Sequence, residues 1–284
     1  LVTTIGYLGP KGTFTKLAVD TAFNGEHKQG FDTIPECIDA VEKKQIDIGV
    51  VPLENAIEGT VQLTVDYLVH QVRLPIEAEI VVPIQQHLLV HPDFSGELSE
   101  IKEVHSHSHA IAQCHQYIHQ HLSCAKISFS ASTGKAAEMV SEGNTHVAAI
   151  GNELAAREFG LKIMQENIHD YPNNHTRFVV LTKDKDNLTI NHPVQSEKTS
   201  LLITLPSDRA GALHQVLSAF AWRKMNLSKI ESRPMKTGLG NYFFIVDVEQ
   251  PFDDVLFPGV KAELEALGCQ VNVLGTYPVF QMDI

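Results

Sequence analysis

Apolar residues along the first 180 positions fall into short runs separated by segments of helical spacing. Ile5 to Leu8 reads as a buried strand, followed by a Gly-rich turn and a helix from about Thr13 to Phe23. Ile46 to Val51 is a second buried run, and the helix before it can open at Pro35, a residue suited to a first turn. A helix near Thr133 to Ser141 leads into the apolar run Val147 to Ile150. Repeated alternation of strand, turn and helix predicts an α/β domain with largely parallel sheets. Pro75, Pro83 and Pro92 bracket the apolar segments of the middle, where the chain is expected to cross between two lobes.

Asp184 to Lys198 is polar, contains Pro193 and lacks periodicity, which marks a boundary: residues 1–185 as a first domain, 186–198 as linker, 199–284 as a second domain. Beyond the linker the pattern runs strand (Ser200 to Leu205), helix (Gly211 to Lys224), strand (Leu227 to Pro234), strand (Tyr242 to Val248), helix (about Asp254 to Leu267), strand (Gln270 to Phe280). That β-α-β-β-α-β order is the ferredoxin-like split unit. Ser207 or Asp208 is placed to cap its first helix, and Asp253 or Asp254 its second.

Composition narrows the function classes. With 43% hydrophobic and 20% charged residues the chain reads as globular. No apolar run approaches the roughly 20 residues of a bilayer span. The chain begins at Leu1 without a methionine, which leaves a processed leader open. A net charge of -12 disfavours nucleic acid and anionic membranes as partners. It also means that an anionic substrate must be held by local donors against an unfavourable global field. Cys37, Cys114, Cys124 and Cys269 form no C-x-x-C pair and read as reduced packing residues, consistent with a cytoplasmic protein.

Several helix starts carry candidate chemistry. Gly9 to Thr15 (GPKGTFT) follows a strand and enters a helix, a seat for a carboxylate or phosphate or else a Thr-capped tight turn. Val51 to Thr60 ends a buried strand, where Glu54, Asn55 and Glu58 offer acceptors and an amide, or merely cap a loop. Ser106 to His109 opens a helix with hydroxyls and N–H groups that either bind an anion or cap, and Ser132 to Ala137 opens another whose small hydroxyl residues are explained by capping. Arg177 precedes the strand beginning at Phe178 and can grip a carboxylate or form a structural ion pair. His105, His107, His109, His115, His119 and His121 are the one metal-like feature, but no H-E-x-x-H is present, so surface histidines are the reading and no metal or other cofactor is expected. There is no G-x-S-x-G elbow, no dinucleotide fingerprint and no readable pair of catalytic carboxylates.

Taken jointly and in order, GPKGTFT at 9–15, VVPLENAIEGT at 50–60, SHSHAIAQC at 106–114, STGKAA at 132–137 and NHTRF at 174–178 resemble the prephenate dehydratase family over nearly the whole chain. GAL at 211–213 and NLSKIESRP at 226–234 resemble its ACT-type regulatory domain. The resemblance implies a two-lobed, periplasmic-binding-protein-like catalytic domain followed by a ferredoxin-like ACT domain. The chain departs from the family pattern at Thr15 and Ala56 (usually Ser), Ser108-His109 (usually Pro-Gln), Gly134 (usually Ala) and His214 (often apolar). With no chorismate mutase region before Leu1 in the sequence, the monofunctional form is the expectation.

The activity so implied is conversion of prephenate to phenylpyruvate, water and CO2 without a cofactor, in phenylalanine biosynthesis. By the resemblance Thr176 and Arg177 are catalytic: Thr176 lies near the leaving hydroxyl, and Arg177 fixes a carboxylate or supports Thr176. Thr13, Phe14, Thr15, Asn55, Ser106, His107, Ser132, Thr133 and Phe178 are its expected substrate contacts. Gly211, Ala212, Leu213, Asn226, Leu227, Glu231, Ser232 and Arg233 are the expected site for L-phenylalanine as effector, formed between paired subunits of a homodimer or homotetramer. Arogenate dehydratase and a non-catalytic amino-acid sensor are the competing readings, and retention of Thr176-Arg177-Phe178 favours the enzyme.

Overall fold

The computed structural model describes residues 3–207, 209–235 and 242–283. They form two compact units. The first comprises residues up to Arg73, Ile80–His192 and the end from Met282; the second comprises Leu74–Glu79 and Pro193–Gln281. Leu74–Glu79, part of the second unit, has no signature in the pattern.

The first unit begins with a lobe built from β1 (Thr4–Leu8), α1 (Phe14–Ala22), β2 (His27–Phe31), α2 (Ile34–Glu42), β3 (Ile48–Asn55), β4 (Gly59–Thr60) and α3 (Gln62–His70). Local chemistry sets its helix starts. The Thr13 hydroxyl accepts from the Lys16 N–H, and α2 opens on a capping box of Thr33 and Glu36 with Pro35 in its first turn. Ile5, Val50 and Val51 are fully enclosed, as continuous apolar runs covered on both faces must be. The chain leaves along β5 (Ile76–Pro83), whose early residues belong to the second unit.

A second lobe of the same unit follows: β6 (His87–Val90), β7 (Glu103–Ser106), α4 (Ser108–Gln113), α5 (His115–His121), β8 (Lys126–Phe129), α6 (Thr133–Ser141), β9 (Val147–Gly151), α7 (Glu153–Phe159) and β10 (Lys162–Gln165). Its strands lie in the order β10-β6-β9-β7-β8. One apolar cluster, around Leu88, Val104, Ala148 and Ile150, packs one face, and another, around Leu89, Ala137, Ala149 and Ala155, packs the other. The chain then returns to the first lobe as β11 (His175–Thr182) beside β3.

The expectation of largely parallel sheets is corrected. β1 pairs parallel with β2 and β3, and β7 with β8 and β9, but β11 runs antiparallel to β3, and β6 antiparallel to both β9 and β10. Apart from the two-residue β4, which folds back antiparallel on β3, the antiparallel strands are those that begin or end a crossing between lobes. A chain that leaves one sheet and comes back enters it from the opposite end.

In the second unit β12 (Ser196–Thr204), α8 (Ala212–Ala221), β13 (Leu227–Pro234), β14 (Tyr242–Val248), α9 (Leu256–Ala266) and β15 (Gln270–Gln281) follow the predicted order. The strands are arranged β13-β14-β12-β15, antiparallel throughout. Val216, Phe220, Val260 and Leu264 from the two helices pack on Leu201, Ile203, Val246 and Val271 of the sheet. The Asp253 carboxylate accepts from the N–H groups of Val255 and Leu256, as expected of a cap for α9. Gly211, at φ 82, precedes α8 without a side-chain cap, and Asp208 lies outside the described residues. Cys37, Cys114 and Cys269 are buried; Cys124 is exposed, so the packing reading does not hold for it.

Candidate active site

Between the lobes of the first unit lies a cavity of about 840 Å³. One wall is the turn from Leu8 to Thr15 with Pro52, Asn55 and Glu58 to Val61; the other is His107 to Gln113 and Ala131 to Glu138. The outward crossing supplies Ile84 and Gln86, between β5 and β6, and β11 supplies Thr176 and Phe178. The lobes approach closely at one edge. A Cβ on Gly134 would lie 2.1 Å from the Lys11 carbonyl oxygen, so only glycine lets the first turn of α6 sit against the 9–13 turn.

The centre of the site is set by strand register. β11 lies against β3 with Thr176 opposite Asn55 and Arg177 opposite Glu54. Side chains alternate along a strand, so these two neighbouring cross-strand pairs fall on opposite faces. Asn55 and Thr176 line the cavity; Glu54 and Arg177 do not, and they meet in an ion pair (Nη1 to Oε2, 2.5 Å).

Asn55 is fully committed. Its Oδ1 accepts from the Ile57 N–H (3.0 Å) and the Glu58 N–H (3.1 Å), which fixes the orientation of the amide. Its Nδ2 therefore donates, to Thr176 Oγ1 at 2.9 Å and to Asn174 Oδ1 at 2.9 Å. Asn174 is itself buried, and its carbonyl accepts from the Ile84 N–H, tying the two crossing segments together. The Thr176 oxygen acts as acceptor towards Asn55, so its proton remains to be donated. Thr176 is 8% exposed and lines the cavity. The arrangement offers a held, weakly acidic hydrogen-bond donor to whatever occupies the space.

The sequence-predicted contacts sort unevenly. Thr13, Phe14, Thr15, Asn55, His107, Ser132, Thr133, Thr176 and Phe178 all line the cavity. Thr13, Ser132 and His107, however, spend side-chain acceptors on the backbone of Lys16, Lys135 and His109. For α1 and α6 the caps leave the first-turn N–H groups and the positive helix ends as the anion-facing elements. Ser106 is not brought to the cavity. It is 0% exposed and its hydroxyl donates to the Ile150 carbonyl at 2.7 Å, because it shares the inward side of β7 while His107 comes after the strand end. Arg177 is likewise outside the lining, for the alternation reason just given. Gln86, Gln113, Asn174, Lys135 and Ile84 were not among the predicted contacts. Asn174 stands in the NHTRF segment and Gln113 in SHSHAIAQC, but Gln86 sits in no motif.

In the second unit the predicted effector residues lie on separate elements. Gly211, Ala212 and Leu213 start α8; Asn226 and Leu227 lead into β13, and Glu231, Ser232 and Arg233 lie on that strand. The Glu231 carboxylate stands 3.4 Å from Lys229 and 3.8 Å from Arg233. The Asn226 amide donates to Glu249, and Leu227 packs on the domain core.

Among the described residues no group of three or more His, Cys, Asp or Glu is placed to hold a metal, and no helix is long and apolar enough to cross a membrane. Burial is the main influence that pushes the His107 imidazole below its ordinary range; His109 adds to it and Glu58 opposes it. A depressed folded-state pKa means that the unfolded chain binds the proton first. The neutral ring's contribution to stability is complete above about pH 6.5 and is lost as pH falls through the lowered folded value. Thermal unfolding followed across that window should show the midpoint falling with acidity. His107→Asn, which keeps a capping acceptor and cannot titrate, should flatten part of the slope.

A family model described as prephenate dehydratase matches residues 5–186, and one described as ACT domain matches residues 199–267. A prephenate dehydratase of Bacillus subtilis (strain 168) is 52% identical over 283 residues, covering 98% of this chain and 99% of its own length. The crystal structure of a prephenate dehydratase from Arthrobacter aurescens in complex with L-Phe superposes with a TM-score of 0.84 at 33% identity, covering 97% of this chain and 90% of that one. That of the enzyme from Staphylococcus aureus subsp. aureus Mu50 gives 0.82 at 35% identity, covering 97% and 100%.

Proposed function

We propose that this chain, which belongs to the prephenate dehydratase family, converts prephenate to phenylpyruvate, water and CO2 in the cavity of its first unit. It is on this reading a decarboxylating carbon–oxygen lyase of phenylalanine biosynthesis. The observation that carries the assignment is the Thr176 hydroxyl, fixed as an acceptor from Asn55 and therefore available as a donor at the cavity wall.

The chemistry asks little of a cofactor. Prephenate is a dianion whose ring becomes aromatic when the ring carboxylate leaves as CO2 and the ring hydroxyl leaves as water. The electron pair of the C–carboxylate bond enters the ring as the C–O bond breaks, and one proton must reach the departing oxygen. Thr176 donates a hydrogen bond to that oxygen; an alcohol being a poor acid, it polarises and positions while the net proton comes by relay from solvent. Interactions that grow as the hydroxide character develops raise turnover, whereas tight binding of the carboxylate about to leave would retard it. The first-turn N–H groups of α1 and α6 offset the substrate charge, while Asp32 and Glu58 keep the rim acidic and the Lys135 ammonium is ion-paired with Glu138. Arg177, paired with Glu54, braces the strand that holds Thr176.

The second unit is the regulatory part on this reading, binding L-phenylalanine through the α8 start and β13 of paired subunits in a cytoplasmic homodimer or homotetramer. Its support is the ACT family match and the L-Phe complex of the Arthrobacter relative. Incubating the purified chain with prephenate should release phenylpyruvate, at a rate that changes when phenylalanine is added. No phenylpyruvate would dismiss the catalytic assignment, and a rate indifferent to phenylalanine the regulatory one.

A further inference from the structure

The chain passes between the lobes twice, through residues 84–87 on the way out and 167–174 on the return, and the two crossings are bonded to each other. The Ile84 N–H donates to the Asn174 carbonyl and the Ile168 N–H to the Gln86 carbonyl, each at 2.8 Å. Two further bonds end on histidine rings. The Asn167 N–H donates to His87 Nδ1 at 3.1 Å, and the Gln86 N–H donates to His169 Nδ1 at 3.3 Å. The exchange is reciprocal: each crossing gives an N–H to a ring carried by the other.

These bonds fix the charge of the rings. A backbone N–H can only donate, so each Nδ1 presents its lone pair and the ring proton sits on Nε2. Both imidazoles are therefore neutral in this arrangement. A proton added at Nδ1 would set two donors face to face and remove the bond. Burial acts in the same sense, since His87 is 5% exposed. Desolvation is the largest influence on the His87 imidazole and pushes it below its ordinary range; Glu166 and Glu153 oppose this, and His169 adds to it. Next to His169, the Asp170 carboxylate accepts from the Gln116 N–H at 3.2 Å.

The crossings also carry part of the site. Ile84 and Gln86 line the cavity, and the Asn174 side chain accepts from Asn55, the donor to Thr176. We infer that His87 and His169 are positioning residues for the cavity, whose neutral rings fasten the outward crossing to the return crossing and whose protonation releases the Ile84–Gln86 wall. Its consequence for turnover rests on the prephenate reading; the fastening itself does not. Because burial lowers the folded-state value for His87, the unfolded chain takes up the proton first. The neutral ring's contribution is complete above about pH 6.5 and is lost as pH falls through the lowered folded value.

The test compares the full chain with three variants. Asparagine places Oδ1 where histidine has Nδ1 and does not titrate, so His87→Asn with His169→Asn keeps both acceptors at every pH. His87→Phe keeps a ring and removes the acceptor. Hydrogen exchange at the Asn167 and Gln86 amides, corrected for the intrinsic effect of pH, is followed from about pH 7.5 to about pH 5. Protection in the wild type should fall about 3- to 10-fold over that range, as for loss of one hydrogen bond at each amide. In the double asparagine variant it should hold within about 2-fold. Prephenate kinetics should follow. At about pH 7.5 the asparagine variant should keep kcat/KM within about 3-fold of wild type, while His87→Phe loses about 5- to 10-fold. Towards about pH 5 the wild type should lose at least about 3-fold more than the asparagine variant. His107 titrates in all of these proteins, so its share cancels in the comparison.

Histidines that merely fill space would give pH profiles and amide protection that run parallel in wild type and asparagine variant, and that result overturns the inference. So does a His87→Phe variant with unaltered Asn167 protection at neutral pH. Should the double variant fail to fold, His169→Asn alone gives the same reading at the Gln86 amide, on the less buried of the two rings. A wild type that forms no phenylpyruvate sinks the functional reading, and the exchange measurement then decides the inference by itself.

Discussion

Thr176→Val should lower kcat by about 100-fold or more while KM for prephenate moves by less than about 3-fold, in the range typical for loss of a positioned proton donor. Valine reproduces the shape of threonine and removes only the hydroxyl. The ground state loses one hydrogen bond to a neutral group, whereas the transition state loses the donor that meets growing charge on the departing oxygen. The fold should tolerate the change, because Asn55 Nδ2 retains its bond to Asn174; the stability loss should be about 1 kcal/mol. Thr176→Ser should keep most of the activity. Steady-state kinetics on the three proteins decides the matter: a valine variant with near-normal kcat takes the hydroxyl out of the chemical step.

Asn55→Asp should be at least as damaging, for a reason that can be read in its pH profile. The carboxylate still accepts from the Ile57 and Glu58 N–H groups, so the loop keeps its shape. It cannot donate to Thr176. The threonine hydroxyl then turns its own proton onto the new carboxylate and ceases to offer it to the substrate. A negative charge also enters a cavity that must hold a dianion, and that raises KM. The expected result is a loss of kcat of about 100-fold with a raised KM, partly relieved as pH falls and the new carboxyl is protonated. Asn55→Ala, by contrast, loses both loop bonds and should melt earlier by an amount corresponding to about 1–3 kcal/mol. If Asn55→Asp turns over normally at neutral pH, the acceptor-from-Asn55, donor-to-substrate assignment of the Thr176 hydroxyl is wrong.

Much of the architecture was legible because it is punctuated locally. Pro35 announces α2, the run Val147 to Ile150 announces β9, and the second unit follows its β-α-β-β-α-β pattern element by element. Strand β2, His27 to Phe31, carries no alternation to find, since it lies at a sheet edge with no fully buried residue. Ser106 and Arg177 show the limit of motif reading. Each stands in a segment that resembles the family's, yet the two-residue period of β7 and β11 turns their side chains away from the cavity that their neighbours His107, Thr176 and Phe178 line.

The order of elements in the second unit and the hydroxyl-capped helix starts of the first were decided by the chain itself. Periodicity, prolines and hydroxyl caps act over a few residues, and no distant contact is needed to express them. The site was decided elsewhere. Asn55 meets Thr176 across 121 positions of sequence, and Gln86 meets the return segment across about 80, through sheet register and backbone anchoring. Such pairings depend on which strand lies beside which and in what phase. A shift of one residue exchanges the inward and outward sets, and only the folded sheet fixes that phase.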